Sequence, residues 1–412
     1  MKKLNIGIVG GSIAGCSAAI LLGREGHNVR VFERSRSGLV GRGGGIGTPG
    51  PVLEALIEQD ILDSDFPHLS CSSMPFIIRK AAHEKHGYSA WEMPLNLKAF
   101  HWSSLWNDLR KRVPDEIYHR GYQVANAIPN DIDSVTLQFE DGSEADFDLV
   151  LFADGYQSLG RQLLFPEIGL DYRGYMLWRG LLPEREMDDS APLGSKLPRL
   201  SYSNLPGNLA IYFVPNHDGS VEEGNRIYNW AAYIPIPESE LSEFMVDRDG
   251  ISHSGTIPPG KVRLEEENRL KRLMQDNLPD YYGEIIGKTE NTYVQLIYTV
   301  RLPAYHQGRL CLIGDAGMVA QPFTGSGVFK GYNNIKDMLQ ALKAYDRIDD
   351  ALKHWGSEQV RIGNRLLALG EQMEQAFIWN SLDLTTADAK STEAWWKQAV
   401  TFPEEFTYAA DE

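Results

Sequence analysis

The chain has 412 residues, 42% of them hydrophobic and 23% charged, the proportions of a globular protein with room for two domains or one large domain with an insertion. Its formal charge of −16, uncompensated by any run of Lys or Arg, excludes nucleic acid and an anionic membrane surface and leaves a small molecule as the expected partner. No apolar stretch reaches transmembrane length, and three scattered cysteines in apolar contexts, Cys16, Cys71 and Cys311, point to a reducing, cytoplasmic setting.

The opening, MKKLNIGIVGG, resembles a signal peptide only superficially, because the strand after its lysines is used at once by a glycine turn. Leu4–Val9 is a near-continuous apolar run of the kind buried in a parallel sheet, and Ile13, Ala14, Ala18, Ile20, Leu21 and Leu22 give helical spacing behind it. A second strand ends at Glu33 and Arg34, completing a βαβ unit. Gly10, Ser12 and Gly15 fill the three slots of G-x-G-x-x-G, with a serine in the middle slot. The first slot makes the tight turn, the second admits a pyrophosphate, and the third lets helix pack on strand. Unpaired amides at the helix start then face the phosphates. Glu33 stands where an acid accepts both hydroxyls of an adenosine ribose, so NAD or FAD fits this site and NADP does not.

The segment from Ser35 to Leu56 is rich in glycine and proline, which argues against a regular element before a helix Val52–Gln59 opened by Pro51. Arg42 within it either bridges a phosphate or carboxylate or is a solvated loop arginine. Residues 72–95 read as a strand pair, and Ala99–Arg112 as an amphipathic helix with Trp102, Leu105, Trp106 and Leu109 on one face. Strands follow around Tyr122–Ala127, Val135–Phe139 and Leu149–Phe152, the last delivering Asp154-Gly155. From about 171 to 300, apolar and polar residues alternate as in antiparallel strands, for example Tyr175–Gly180, Leu209–Pro215 and Ile227–Ile234, with a helix at Leu264–Met274. Strand Arg309–Ile313 returns to the first domain, a helix runs from about Val328 to Tyr345, and Asp349–Trp379 is helical and amphipathic. The ten histidines show no metal-ligand spacing, and no metal is expected.

Gly314-Asp315 follows an apolar strand, and Pro322, Gly325 and Gly327 precede the helix from Val328. Two helix starts, one near each end of the chain, therefore face ligand, and one ligand long enough to need both is FAD. Asp315 suits the ribitol hydroxyls, and the Gly325–Val328 turn, with Ser326, suits the flavin pyrimidine edge.

Taken together, G10-x-S12-x-x-G15 with Glu33-Arg34, the run Asp154-Gly155-Tyr156-Gln157-Ser158-Leu159-Gly160-Arg161, and Gly314-Asp315-Ala316 resemble the single-component flavoprotein aromatic hydroxylases over nearly the whole chain. Trp178–Gly180, IYFVPNHDGS and RIYNWAAY look most like the branch acting on hydroxylated pyridine-type rings. The resemblance implies a Rossmann-like α/β FAD-binding domain (1–72, 97–170 and 300–345). It also implies an interleaved α+β substrate domain with a mostly antiparallel sheet (73–96 and 171–299) and a C-terminal helical region (346–412). In that family Glu33 would hold the adenosine ribose, Val124 would touch adenine through its backbone, Arg42 would lie near the FAD phosphate or ring, and Asp315 would hold ribitol. The element containing Asp154, Gly155 and Arg161 serves both FAD and NAD(P)H. Many relatives carry arginine, histidine and asparagine where Trp102, Met318 and Phe329 stand.

The implied reaction is hydroxylation of a small electron-rich aromatic or N-heteroaromatic substrate. NADH or NADPH reduces FAD, and O2 reacts through a flavin C4a-hydroperoxide. NAD(P)H docks transiently, and a homodimer is a further expectation from the resemblance. Tyr212 and Tyr228 lead the candidates for orienting or deprotonating a ring hydroxyl, with His217, Gln295 and Tyr298 behind them. The rival functions are an FAD oxidoreductase without oxygen insertion and a flavin-binding redox sensor.

Overall fold

A computed structural model describes residues 3–39, 41, 43–130 and 133–400. Strand Asn5–Val9 pairs in parallel with Leu149–Phe152 on one side and Asn28–Glu33 on the other. Ile6 and Ile8 are fully buried, as parallel strands covered on both faces require. The sheet is completed by Leu310–Leu312 and His306–Gln307 at one edge and Tyr118–Arg120 at the other. The anticipated βαβ unit is present, with its helix at Ile13–Arg24. A small antiparallel sheet of Val124–Asn130, Ser134–Phe139 and Glu144–Phe147 stands beside it.

The second sheet has nine strands in the order Thr256–Ile257, Tyr293–Thr299, Asp171–Pro183, Ile227–Pro235, Asn208–Val214, Arg199–Ser201, Leu69–Ile78, Tyr88–His101 and Gly45–Pro49. All pairings are antiparallel except that of Arg199–Ser201 with Leu69–Ile78. Alternation sorts its side chains into two layers. Trp178, Tyr228, Trp230 and Val294 pack in one core with Leu270 and Met274 of helix Leu264–Asn277 and Ile285 of helix Asp280–Lys288. Leu177, Tyr212 and Tyr233 share the opposite core with Leu97, Phe323 and the C-terminal residues Met373, Phe377 and Trp396.

Several boundaries differ from the sequence reading. Gly45–Pro49 is a strand rather than part of an irregular segment, and glycine is the reason: a Cβ at Gly45 would lie 2.5 Å from Asn229 and one at Gly47 2.7 Å from Leu97. The helix expected over Ala99–Arg112 begins at Trp102, because residues 99–101 continue the strand that pairs with Gly45–Gly47. Residues 45–49 and 97–101, assigned by sequence to the nucleotide domain, thus belong to the nine-stranded sheet. The helix after Pro49 runs Gly50–Glu58, and that before Tyr345 starts at Lys330. The long C-terminal helix Ile348–Glu374 gives way to a π-helical turn, Gln375–Trp379. Among the described residues no helix is long and apolar enough to cross a membrane.

Candidate functional site

The glycine turn is fixed from several sides. Gly10 has φ +100°, and a Cβ there would lie 2.5 Å from the Ala153 carbonyl oxygen; one on Gly15 would lie 1.9 Å from that of Gly10. Both positions therefore demand glycine. Between them, the Gly11 carbonyl accepts from Trp106 Nε1 at 2.9 Å and Tyr118 OH at 2.8 Å. The Gly11 amide donates to Glu33 Oε2 at 2.9 Å, and the Ser35 amide to Glu33 Oε1 at 2.8 Å. Each oxygen of this buried carboxylate keeps lone pairs for a further donor. Ser12 caps the helix in extended conformation without a side-chain bond, and Cys16 is the first amide to bond back, to Ser12. The amides of Ile13, Ala14 and Gly15 therefore have no intrahelical acceptor. Arg34 is exposed, Val124 is buried at its strand start, and Arg42 lies outside the described residues.

The second turn reaches the same place. Gly314 has φ +58°, its amide donates to Asn334 Oδ1 at 2.8 Å, and a Cβ on it would lie 2.9 Å from that of Ala14. A Cβ on Gly331, in the first turn of helix Lys330–Ala344, would lie 2.5 Å from the Ala14 Cβ. The starts of two helices distant in sequence thus touch. Asp315, half exposed, is contacted by the ammonium of buried Lys330, which also donates to the Met318 carbonyl. Pro322–Thr324 forms a single 3-10 turn closed by Gly325 at φ +69°. Ser326, Gly327 and Val328 connect it to the helix and are exposed or half-buried.

Arg161 ties the second turn to the segment after Asp154. Its guanidinium is buried and donates to the carbonyls of Ala316, at 3.1 Å, and Tyr156. Asp154 Oδ2 accepts from the Leu159 and Gly160 amides, while its buried Oδ1 has no partner; burial raises its pKa despite those bonds. Ser158 caps the following helix by accepting the Arg161 amide at 2.9 Å.

A third group lies on the face of the nine-stranded sheet opposite its covering helices. Arg179 Nη2 donates to the Gly45 carbonyl at 2.7 Å, and the Gly45 amide donates to Asn229 Oδ1 at 2.8 Å. Arg179 Nε, Asn229 Nδ2 and the Tyr293 hydroxyl are buried without partners. Arg179 Nε and Asn229 Nδ2 are donors and the Tyr293 hydroxyl can donate or accept, and the titratable groups acting on Arg179 are the tyrosines 293, 212 and 233. Gln295 faces Arg179 across 3.5 Å. The Tyr233 ring packs 5.5 Å from Phe323, so this face abuts the Pro322–Gly325 turn.

Of the five ring-handling candidates, Tyr212 and Gln295 fall in this group. Tyr228 does not. The register Tyr212 with Asn229 and Phe213 with Tyr228 puts the two tyrosines on opposite faces. The Tyr228 hydroxyl pairs with that of Tyr281 at 3.1 Å, and burial pushes its pKa up to about 12. Tyr298 donates to the Ser254 carbonyl and stacks on Tyr156. His217 is exposed, stacked on His101 at 4.8 Å. The sequence reading missed Arg179, Asn229 and Tyr293 as a set, although odd-numbered alternation with Leu177, Tyr233 and Ile297 marks the face they share. Trp102 packs under the glycine run, where a Cβ on Gly43 would lie 2.6 Å from its own. Among the described residues no cluster of His, Cys, Asp and Glu is arranged to hold a metal.

Comparison with known proteins agrees with this geometry. Residues 8–53 match the NAD(P)-binding Rossmann-like domain family and residues 172–299 the FAD binding domain-like family. The chain is 26% identical to 2,6-dihydroxypyridine 3-monooxygenase of Paenarthrobacter nicotinovorans over 88% of each chain. It superposes on 2,6-dihydroxypyridine-3-hydroxylase from Arthrobacter nicotinovorans with a TM-score of 0.82 at 23% identity, covering 94% of this chain and 97% of the other. Klebsiella pneumoniae HpxO complexed with FAD and uric acid gives a TM-score of 0.73 at 19% identity, covering 96% and 92%. The chain has the fold of these enzymes.

Proposed function

We propose that this protein is an FAD-dependent monooxygenase that hydroxylates a small electron-rich aromatic or N-heteroaromatic ring with NAD(P)H and O2. The observation that carries the reading is the meeting of the Gly10–Gly15 and Gly314–Asp315 turns at Ala14, beside a sheet face of buried donors. The residues fit FAD: Gly10, Gly15 and Gly331 let the turn and the two helix starts pack closely enough to present their amides together, and Glu33 and Asp315 keep acceptor capacity. FAD, when bound, supplies reduction by NAD(P)H and activation of O2.

The chain's own residues bind, orient and enclose. Glu33 accepts the adenosine ribose hydroxyls, the amides of Ile13–Gly15 meet the pyrophosphate, and Asp315, held by Lys330, meets ribitol. Arg161 ties the turn at residues 154–158 to the Gly314–Ala316 turn rather than reaching the reductant, because its guanidinium donates to one carbonyl of each. Arg179 and Asn229 offer two unpaired donors, one on a charged group, and Tyr293 a hydroxyl able to donate, which suits the oxygen substituents of a hydroxylated ring and favours their anionic form. Tyr212 lies on the same face within the core. Three buried free thiols support a reducing, cytoplasmic setting. A homodimer is part of the proposal and is checked by sedimentation.

The test is NAD(P)H oxidation by the purified flavoprotein with hydroxypyridines and phenols, with mass analysis of products under 18O2. Substrate-dependent oxidation with one labelled oxygen incorporated is expected. Oxidation without incorporation identifies an oxidoreductase of another kind, and bound FAD without substrate-dependent turnover a sensor.

A further inference from the structure

The C-terminal helix carries a buried carboxylate that none of the three motifs uses. Glu374 is 2% exposed and accepts from Arg173 through Nε at 3.1 Å and Nη2 at 2.8 Å, from the Tyr175 hydroxyl at 3.2 Å, and from Gln321 Nε2 at 2.9 Å. Arg173 and Tyr175 belong to the strand Asp171–Pro183 of the nine-stranded sheet, whereas Gln321 immediately precedes the Pro322–Gly325 turn. One carboxylate therefore joins the substrate-facing sheet, the C-terminal helix and the turn facing the cofactor groove.

Gln321 is fully buried and tightly held. Its Oε1 has no hydrogen-bond partner and faces Gly370 on the same helix, where a Cβ would lie 2.0 Å from it. Its backbone carbonyl accepts from Thr324 Oγ1 at 2.8 Å, closing the turn. Two residues on, Phe323 meets Phe377 edge to face at 5.6 Å. Phe377 lies in the π-helical turn that begins directly after Glu374. A local change of helix type of this kind often accompanies a functional site. The helix thus grips the turn at Gly370, Glu374 and Phe377. Displacing Gln321 would remove a charge-assisted bond from a buried carboxylate, where its loss is felt in full.

We infer that Glu374 is a positioning residue: through Gln321 it sets the Pro322–Gly325 turn against the flavin and ties cofactor binding to the C-terminal helix. The inference rests on the FAD reading above. Its test is equilibrium FAD binding, followed by flavin fluorescence and the visible absorption band, in Gln321→Leu, Glu374→Gln and the double variant, with Asp315→Ala as the reference. Gln321→Leu leaves Glu374 with Arg173 and Tyr175, so it isolates the link from the fold of the helix. Each single variant is expected to weaken FAD binding about tenfold and to alter the band of the bound flavin, and the double variant to be no worse than the weaker single. Wild-type affinity and spectrum in Gln321→Leu, or losses that simply add, overturn the inference. If Asp315→Ala loses FAD while Gln321→Leu and Glu374→Gln retain it, only this inference fails; if Asp315→Ala retains it too, the placement of FAD at Asp315 on which the inference rests fails first.

Discussion

Gly331 lies against Ala14 so closely that a Cβ added to it would sit 2.5 Å from the Ala14 Cβ. Residues on two helices more than three hundred positions apart thereby bring both helix starts to one groove. Gly331→Val is expected to force them apart, costing about 1–3 kcal/mol of stability by overpacking. It should also weaken FAD binding beyond that of a surface control. Thermal melts of apo protein and a flavin titration check the two effects separately.

Lys330 stands behind Asp315, with its ammonium shared between that carboxylate and the Met318 carbonyl. Lys330→Met removes the charge and keeps the bulk. Asp315 is then no longer held, and FAD affinity is expected to fall about tenfold, the worth of one charge-assisted bond. Lys330→Arg should recover part of the loss. Unchanged affinity in Lys330→Met would remove lysine from the cofactor site.

Arg179 and Tyr228 make a contrasting pair, since they face opposite sides of one sheet. Arg179→Gln is expected to lower kcat/KM by about 10- to 100-fold while FAD stays bound, because a charged donor to the ring is lost. Tyr228→Phe should leave kcat/KM within about twofold and cost about 1 kcal/mol of stability through its lost bond to Tyr281. Steady-state kinetics and urea melts decide both, and the reverse pattern would move the proposed ring-binding role from Arg179 to Tyr228.

His101 supplies a pH test. Burial, with the neighbouring His217, lowers its pKa from 6.5 to about 4, partly offset by a bond to the Pro215 backbone. In the unfolded chain the imidazole takes its proton near pH 6.5, whereas the folded protein resists protonation until about pH 4. The unfolded state therefore binds more protons across this window, and stability falls as pH falls from 6.5 to 4. The loss amounts to about 3 kcal/mol from this group. In urea melts across the window, wild type should lose stability relative to His101→Gln as pH falls; parallel curves would assign the acid sensitivity elsewhere.

Local patterns carried much of this architecture. The βαβ unit, Glu33 and the Gly314-Asp315 turn are legible because glycine spacing and an apolar strand specify them within some thirty residues. Strand Gly45–Pro49 is not legible: its glycines and proline read as a loop, and only the partner strand at Leu97–His101 makes it regular. Arg179, Asn229 and Tyr293 come together through the register of three strands spread over more than a hundred residues, which no local period encodes. Tyr228 illustrates the penalty for ignoring parity, since one residue along a strand exchanges one face of the sheet for the other. The bond from Gln321 to Glu374 spans 53 positions and depends on how the last long helix packs.

The most direct test of the account is FAD binding to wild type, Glu33→Ala, Asp315→Ala and the variant carrying both, measured by flavin fluorescence against apo protein. One FAD per chain bound by the wild type, with affinity reduced in each variant and most in the double variant, is the predicted result. Equal affinity in all of them, or a wild type that takes up no FAD, would contradict it.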